Sequence, residues 1–437
     1  MPFSLLVHFL LWCVFYFMGM YFFYTTYKNY SSGFFVAQLF IFSLTFRLIG
    51  VVWYYYLYTF YNGVPFEAID SDQMFYDRWG NIISQDILSG DYFPRLNFPG
   101  DYSDFGYPLF NGYVYYLFGN SILLLRIIQG VMSAISVIWV YHISKKFFNI
   151  EIARFASILA MLSPILIRYC GSHLKETVMI FLILGGTHFA IKAIGGIRIK
   201  VLWLIPTFSF YYSLFLFRTI SGLIFFAAFA LYYIYIPRKS NLIVKWTGIP
   251  VIIFLIGYLL LFSPAYEEIS GAYDAGDNYS GKVVSVSPSK ILKGVSILPV
   301  NLVLVFIGPF PNMLGEFGIS NDRMFFQQII SAETFIKCLL AVIFLTGVYY
   351  TIKNGFKENA FLLSIIGMNL FVIAYTGLML NLRHYLPIYP FLLMFSAAGL
   401  YYATSNTKKY IMYSNIFFFL LVLIFNYFKL GDFNLIQ

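Results

Sequence analysis

Runs of about 20 apolar residues, long enough to cross a bilayer as a helix, recur along the whole chain with short polar links between them. They fall at 5–25, 33–60, 121–144, 152–171, 177–192, 201–217, 219–236, 248–264, 335–352, 360–381, 385–403 and 410–428. A further apolar stretch at 297–311 carries Pro299, Pro309 and Pro311, and reads either as a short span or as a re-entrant piece. The pattern predicts an all-α, polytopic membrane protein with about twelve or thirteen crossings. It forms one transmembrane domain over 1–437, without an internal repeat. The first apolar stretch lacks a basic flank and a small-residue cleavage site, so it is expected to be retained.

Two links are long, 61–120 and 265–334, the second including the proline-rich stretch. Within the first, Phe75, Trp79, Ile82, Ile83 and Ile87 recur at helical spacing and Gly90 follows as a stop. The spacing predicts a juxtamembrane helix lying on the leaflet, with Trp79 at the headgroup level.

Composition agrees with the pattern. Of 437 residues 60% are hydrophobic and only 11% are charged, less than half of the roughly 25% of a soluble domain. A cytosolic enzyme, a disordered scaffold and a disulfide-stapled secreted domain are excluded. The net charge of +9 does not signal nucleic acid, because Lys and Arg sit mainly in the short links, where they orient spans. Lys28, Lys145/Lys146/Arg154, Lys192/Arg198/Lys200, Arg238/Lys239/Lys245, Lys353/Lys357 and Lys408/Lys409 alternate onto one face, which the positive-inside rule makes cytoplasmic. Both long links then lie on the outer face. Cys13, Cys170 and Cys338 are far apart and form no metal spacing or disulfide framework.

The outer link is chemically distinct. Segment 61–105 holds Glu67, Asp70, Asp72, Asp77, Asp86, Asp91, Asp101 and Asp104, eight of nineteen acidic residues, against Arg78 and Arg95. Asp70 and Asp72 flank Ser71 at the start of the predicted helix. Asp70 or Ser71 in the role of a helix cap explains the pattern structurally. A carboxylate there can also take a proton from an acceptor hydroxyl, while a second orients the acceptor or holds a divalent cation.

Cations stand where spans meet the same face: Arg168, Lys175, Arg218 and Arg383. Each alone fits a snorkelling interface residue. As a set beside Glu176, His384 and the acidic link, they fit a site for an anionic, lipid-linked substrate. His173 flanks the same place. No Walker-type loop is present, so no nucleotide cofactor is expected, and no His/Cys/Asp cluster has metal-ligand spacing.

Several of these residues resemble a family. Asp72-Gln73-Met74-Phe75-Tyr76 is similar to the D-E-x-x-Y element of GT-C glycosyltransferases related to protein O-mannosyltransferases and the lipid A aminoarabinose transferase. Gly106-Tyr107-Pro108-Leu109, the stretch Tyr115–Ser121 followed by Arg126, Ser163-Pro164, Lys175-Glu176 and Arg383-x-x-Leu386-Pro387-x-x-Pro390 extend the likeness over most of the chain. The resemblance implies a GT-C-like fold and an inverting transferase of the bacterial plasma membrane. Its donor would be a polyprenyl-phosphate-linked sugar and its acceptor a glycan, lipid or protein on the outer face. By position Asp72 matches the family's general base, and basic residues would hold the donor phosphate; Asp70 has no firm counterpart in that element. Together with the outer-face charges, this makes Asp72 and Asp70 the expected catalytic residues and Lys175, Glu176, Arg218, Arg383, His384 and Tyr76 the expected substrate-binding ones. Gln73 departs from the family's Glu, and the acidic link follows the second span rather than the first. Two other functions remain open: an O-antigen repeat-unit polymerase using undecaprenyl-diphosphate-linked substrates, and a flippase for lipid-linked oligosaccharides. The second predicts charges scattered along the spans, where Arg47 is the clearest case.

Overall fold

A computed structural model describes residues 3–67, 71–92, 94, 98, 102–194, 200–235, 301–302, 304–306, 308, 310–312, 324–375 and 382–434. Among these residues every regular element is a helix, and there is no strand. The helices are α1 (Phe3–Tyr27), α2 (Ser32–Asn62), α3 (Asp72–Leu88), α4 (Tyr102–Phe118), α5 (Ile122–Phe147), α6 (Ile150–Leu162) and α7 (Pro164–Gly171). They continue with α8 (Glu176–Ile194), α9 (Val201–Phe217), α10 (Thr219–Tyr235), α11 (Met324–Tyr375), α12 (Tyr389–Tyr402) and α13 (Ser405–Asn434).

Among the described residues, five helical stretches are long and apolar enough to cross a membrane: Ser32–Asn62, Ile122–Phe147, Glu176–Ile194, Ile330–Tyr375 and Ser405–Phe428. The bent pair α6 and α7 brings the number to six. The chain is therefore a multi-pass membrane protein. The expected spans map onto these helices unevenly. Two of them, 201–217 and 219–236, are realised as shorter apolar helices. The span 335–352 and the described part of 360–381 lie within α11, whose helical geometry is interrupted at Gly355; 376–381 lie outside the described residues. The expected span 248–264, most of 265–334 and Asp70 lie outside the described residues.

Local chemistry sets the helix ends. The Ser121 hydroxyl accepts from Leu124 N at the start of α5, and the Asn149 amide oxygen accepts from Ile152 N at 2.8 Å to start α6. Gly63 closes α2 in the left-handed conformation, φ +72°. Pro164, which has no N–H to continue the ladder, separates α6 from α7, and the two axes bend by 46°. The carbonyls freed at this break are taken by Arg47, deep in α2. Its guanidinium donates to Ala160 O and Met161 O, each at 3.1 Å, and to Ser133 Oγ at 2.7 Å. The charge that stood out in the second span thus ends a neighbouring helix.

The main core is built from the buried faces of α5, α6, α8 and α12. Helices α3 and α4 pack on each other beside α9. Gly80 and Gly112 allow that approach: a methyl at Gly112 would stand 2.3 Å from Ile83 Cγ2, and one at Gly80 2.7 Å from Asn111 Cβ. A helix forms in the first long link, as the spacing predicts, and its packed face is set by α4. The face of α3 that is buried is Gln73, Tyr76, Gly80, Ile83, Ser84 and Ile87, because α4 covers it. Phe75 is exposed, and Trp79 packs at 5.5 Å against Phe98. Helix α4 went unread because Gly106, Pro108 and Gly112 interrupt its apolar pattern.

Candidate active site

Three distant parts of the chain meet at the end of the bundle that carries α3 and α4. Asp72 is the first residue of α3, and Glu176 is the first of α8. Arg383 sits in a 3₁₀ turn, Leu382–His384, before α12. The Arg383 guanidinium joins them. Nε donates to Glu176 Oε1 at 2.8 Å and Nη1 donates to Asp72 Oδ2 at 2.6 Å.

A second ion pair lies beside the first. Lys175, next to Glu176 in the link between α7 and α8, is bound to Asp104 Oδ1 in the first turn of α4. The Tyr76 hydroxyl, one turn along α3 from Asp72, donates to the same oxygen at 3.4 Å. Arg218, between α9 and α10, acts electrostatically on both Lys175 and His384. Arg218 has no carboxylate within ion-pair distance among the described residues. Asp72, Tyr76, Lys175, Glu176, Arg218, Arg383 and His384 are thereby gathered in one place. Lys145 and Lys146 end α5, about 35 Å from its first residue at a rise of 1.5 Å per residue.

The electrostatics follow from burial and crowding of like charge. Burial pulls the Lys175 ammonium below its ordinary value; Asp104 opposes the shift and Arg218 adds to it. Burial works against the charge of Arg383 too, yet Glu176 and the bond to Asp72 hold its proton more tightly than usual. Burial and then Arg218, Arg383 and Lys175 push His384 down to about 3, so its imidazole is neutral at physiological pH. Tyr76 is shifted upward by burial, with Asp104 and Glu176 adding to it, so its hydroxyl stays a donor. The site is a patch of fixed positive charge with two carboxylates laid over it.

A layer of polar side chains beneath holds this arrangement. Gln129 donates to the Tyr107 hydroxyl at 2.6 Å and to Leu174 O at 3.3 Å, fixing the link that carries Lys175. Asn111 donates to Tyr76 O at 3.3 Å and lies 3.1 Å from His173 Nε2. His173 is fully buried between Phe66 and Tyr107, and burial followed by Arg126 lowers its basicity far below the usual range. It is a packing residue of this layer. Arg126 is buried, donates to Pro65 O and faces Tyr55 and Tyr58. The Tyr115 hydroxyl donates to Asp77 Oδ1 at 2.6 Å.

Arg168 stands apart from the other expected cations. Its Nε donates to both oxygens of Glu333, at 2.9 and 3.1 Å, and its Nη1 lies 3.9 Å from Glu67 Oε1. Glu67 is held in turn by Gln73, through Glu67 N to Oε1 at 3.3 Å and Nε2 to Glu67 Oε2 at 3.4 Å. Gln73 therefore fixes the chain just before α3 instead of offering a carboxylate of its own.

Asp104 and Glu333 are the participants that sequence reasoning missed. Asp104 was one acid among eight in the link, and its distinction arises only from folding α4 against Lys175. Glu333 had one usable signal, a carboxylate at the edge of an apolar run. Among the described residues no three His, Cys, Asp or Glu side chains gather closely enough to hold a metal ion. No protein-family model matches the chain, and no curated protein matches it.

Proposed function

We propose that this chain is a membrane glycosyltransferase of the GT-C type, with twelve or thirteen crossings in a bacterial plasma membrane. It transfers a sugar from a polyprenyl-phosphate donor to a glycan, lipid or protein acceptor on the outer face. The observation that carries this reading is the joining of Asp72, Arg383 and Glu176 through one guanidinium, beside Lys175 and Asp104. A carboxylate that can receive a proton stands against cations suited to a phosphate.

In the reaction, an acceptor hydroxyl attacks the anomeric carbon of the sugar. The new carbon–oxygen bond forms as the bond to the phosphate oxygen breaks, inverting the centre, and its electron pair leaves on the phosphate. Asp72 takes the hydroxyl proton. Arg383, Lys175 and Arg218 meet the charge that develops on the leaving phosphate. In this reading neutral His384 donates a hydrogen bond to a substrate oxygen, and the Tyr76 hydroxyl does the same when Asp104 no longer accepts from it. Arg47 gives no support to the flippase alternative, because its guanidinium is bonded to three carbonyls and the Ser133 hydroxyl.

The test is transfer in proteoliposomes from a labelled polyprenyl-phosphate sugar to envelope acceptors. Asp72→Asn is expected to lower the rate by about 10²–10⁴, with addition of single sugars by the unaltered protein. A normal rate in Asp72→Asn overturns the base assignment. A ladder of long repeats moves the reading to a polymerase.

A further inference from the structure

The two carboxylates on Arg383 differ in a way that decides which can leave. The Glu176 side chain is 0% exposed, whereas that of Asp72 is 59% exposed. Taking Arg383 from Glu176 would strand a buried charge, which is costly. Taking it from Asp72 leaves a carboxylate that water already reaches, and exposed pairs of this kind are weak. Lys175 repeats the arrangement: its own side chain is buried, and that of Asp104 is 38% exposed. In both pairs the cation belongs to the bundle, in the 172–175 link or the 382–384 turn, and the exposed carboxylate belongs to α3 or α4.

We propose that Asp72 and Asp104 are exchangeable counter-ions of a phosphate site, and that a phosphate arriving at Arg383 displaces Asp72 while Glu176 stays in place. This inference rests on the transferase reading and adds an order to it. Until the donor's phosphate is bound, Asp72 is engaged by Arg383; once it is bound, Asp72 is released toward the acceptor. The exchange breaks one ion pair and makes another, and no proton moves. Glu176 acts through Arg383 as a positioning residue, keeping the guanidinium in place while its outer partner changes.

The consequence runs opposite to a purely catalytic role for Asp72. If Asp72 competes with phosphate for Arg383, removing its charge must tighten anion binding even as transfer is lost. The experiment is calorimetric titration of the full-length protein in detergent at low salt, with farnesyl phosphate and with inorganic phosphate as probes. Asp72→Asn is expected to bind about fivefold more tightly than the unaltered protein, the worth of one exposed ion pair. Asp104→Asn tightens in the same direction through Lys175, and the gain shrinks in ~0.5 M NaCl. Tightening with both probes assigns the exchange to phosphate itself; tightening with farnesyl phosphate alone assigns it to a lipid headgroup. Unchanged or weaker binding in both folded variants overturns the exchange and leaves the transferase reading standing. Absence of binding by either probe, in folded protein of every form, overturns the anion site and the transferase reading with it.

Discussion

Arg383 and Arg168 look alike in the sequence, each standing at the edge of an apolar run, and each meets two carboxylates in the fold. Their partners separate them. Arg168 is closed around Glu333, which is fully buried, with Glu67 at the margin. Arg383 shares itself between buried Glu176 and exposed Asp72. A cation whose main partner is fixed inside the bundle holds helices together, here α7 to α11. A cation that is hydrogen-bonded to an exposed carboxylate can trade that partner for a ligand; Glu67 is partly exposed too, but at 3.9 Å it is not hydrogen-bonded to Arg168. Arg47 extends the first class to its limit, since its hydrogen bonds run to backbone carbonyls and the Ser133 hydroxyl.

The largest expected effect breaks the enclosed pair. Arg168→Gln leaves Glu333 buried and uncompensated and is expected to cost about 3–5 kcal/mol, read as a lower melting temperature in detergent. Adding Glu333→Gln to it recovers much of the loss. An unchanged melt for the single variant would remove the contrast with Arg383. Arg47→Met is expected to cost about 2 kcal/mol, because the carbonyls of Ala160 and Met161 lose their donor; a neutral result would show that the break at Pro164 needs no such donor.

The pH dependence is a finer probe. Lys175 must be charged to hold an anion, and it loses its proton below the ordinary lysine value of 10.5. Phosphate retention therefore falls as pH rises through that lowered value. Lys175→Arg, whose guanidinium stays charged, extends retention to higher pH. The same alkaline limit in both proteins would remove Lys175 from the anion site. The smallest effect is expected at Asp86, on the far end of α3 from Asp72. Asp86→Asn should change stability by less than about 0.5 kcal/mol and leave transfer unaltered, which thermal melts and the liposome assay check together.

Much of this was legible before the fold. Apolar runs gave the bundle, and the reversal of charge in 61–105 pointed to the link that carries α3. Gly90 closes that helix with φ +101°, as its position after the last apolar residue suggested. What stayed hidden was partnership across the chain. Asp72 and Arg383 are 311 positions apart, and no local pattern can pair them. The same holds for Arg168, which reads as an interface residue until α11 brings Glu333 beside it. The periodicity of α3 misled by about a quarter turn, since it located the apolar side but could not show that Gly80 admits a second helix there. Gly106, Pro108 and Gly112 hid α4, and with it the role of Asp104.

One binding measurement separates the two classes of charge. Farnesyl phosphate is titrated into Arg218→Gln and Arg47→Met in detergent, each compared at equal folded fraction. Arg218→Gln is expected to melt like the unaltered protein and to bind about tenfold more weakly, having lost one charge-assisted contact. Arg47→Met is expected to melt lower and to bind normally once folded. Normal binding by Arg218→Gln with lost binding by Arg47→Met would contradict the assignment of the phosphate site to the end of the bundle that carries α3 and α4.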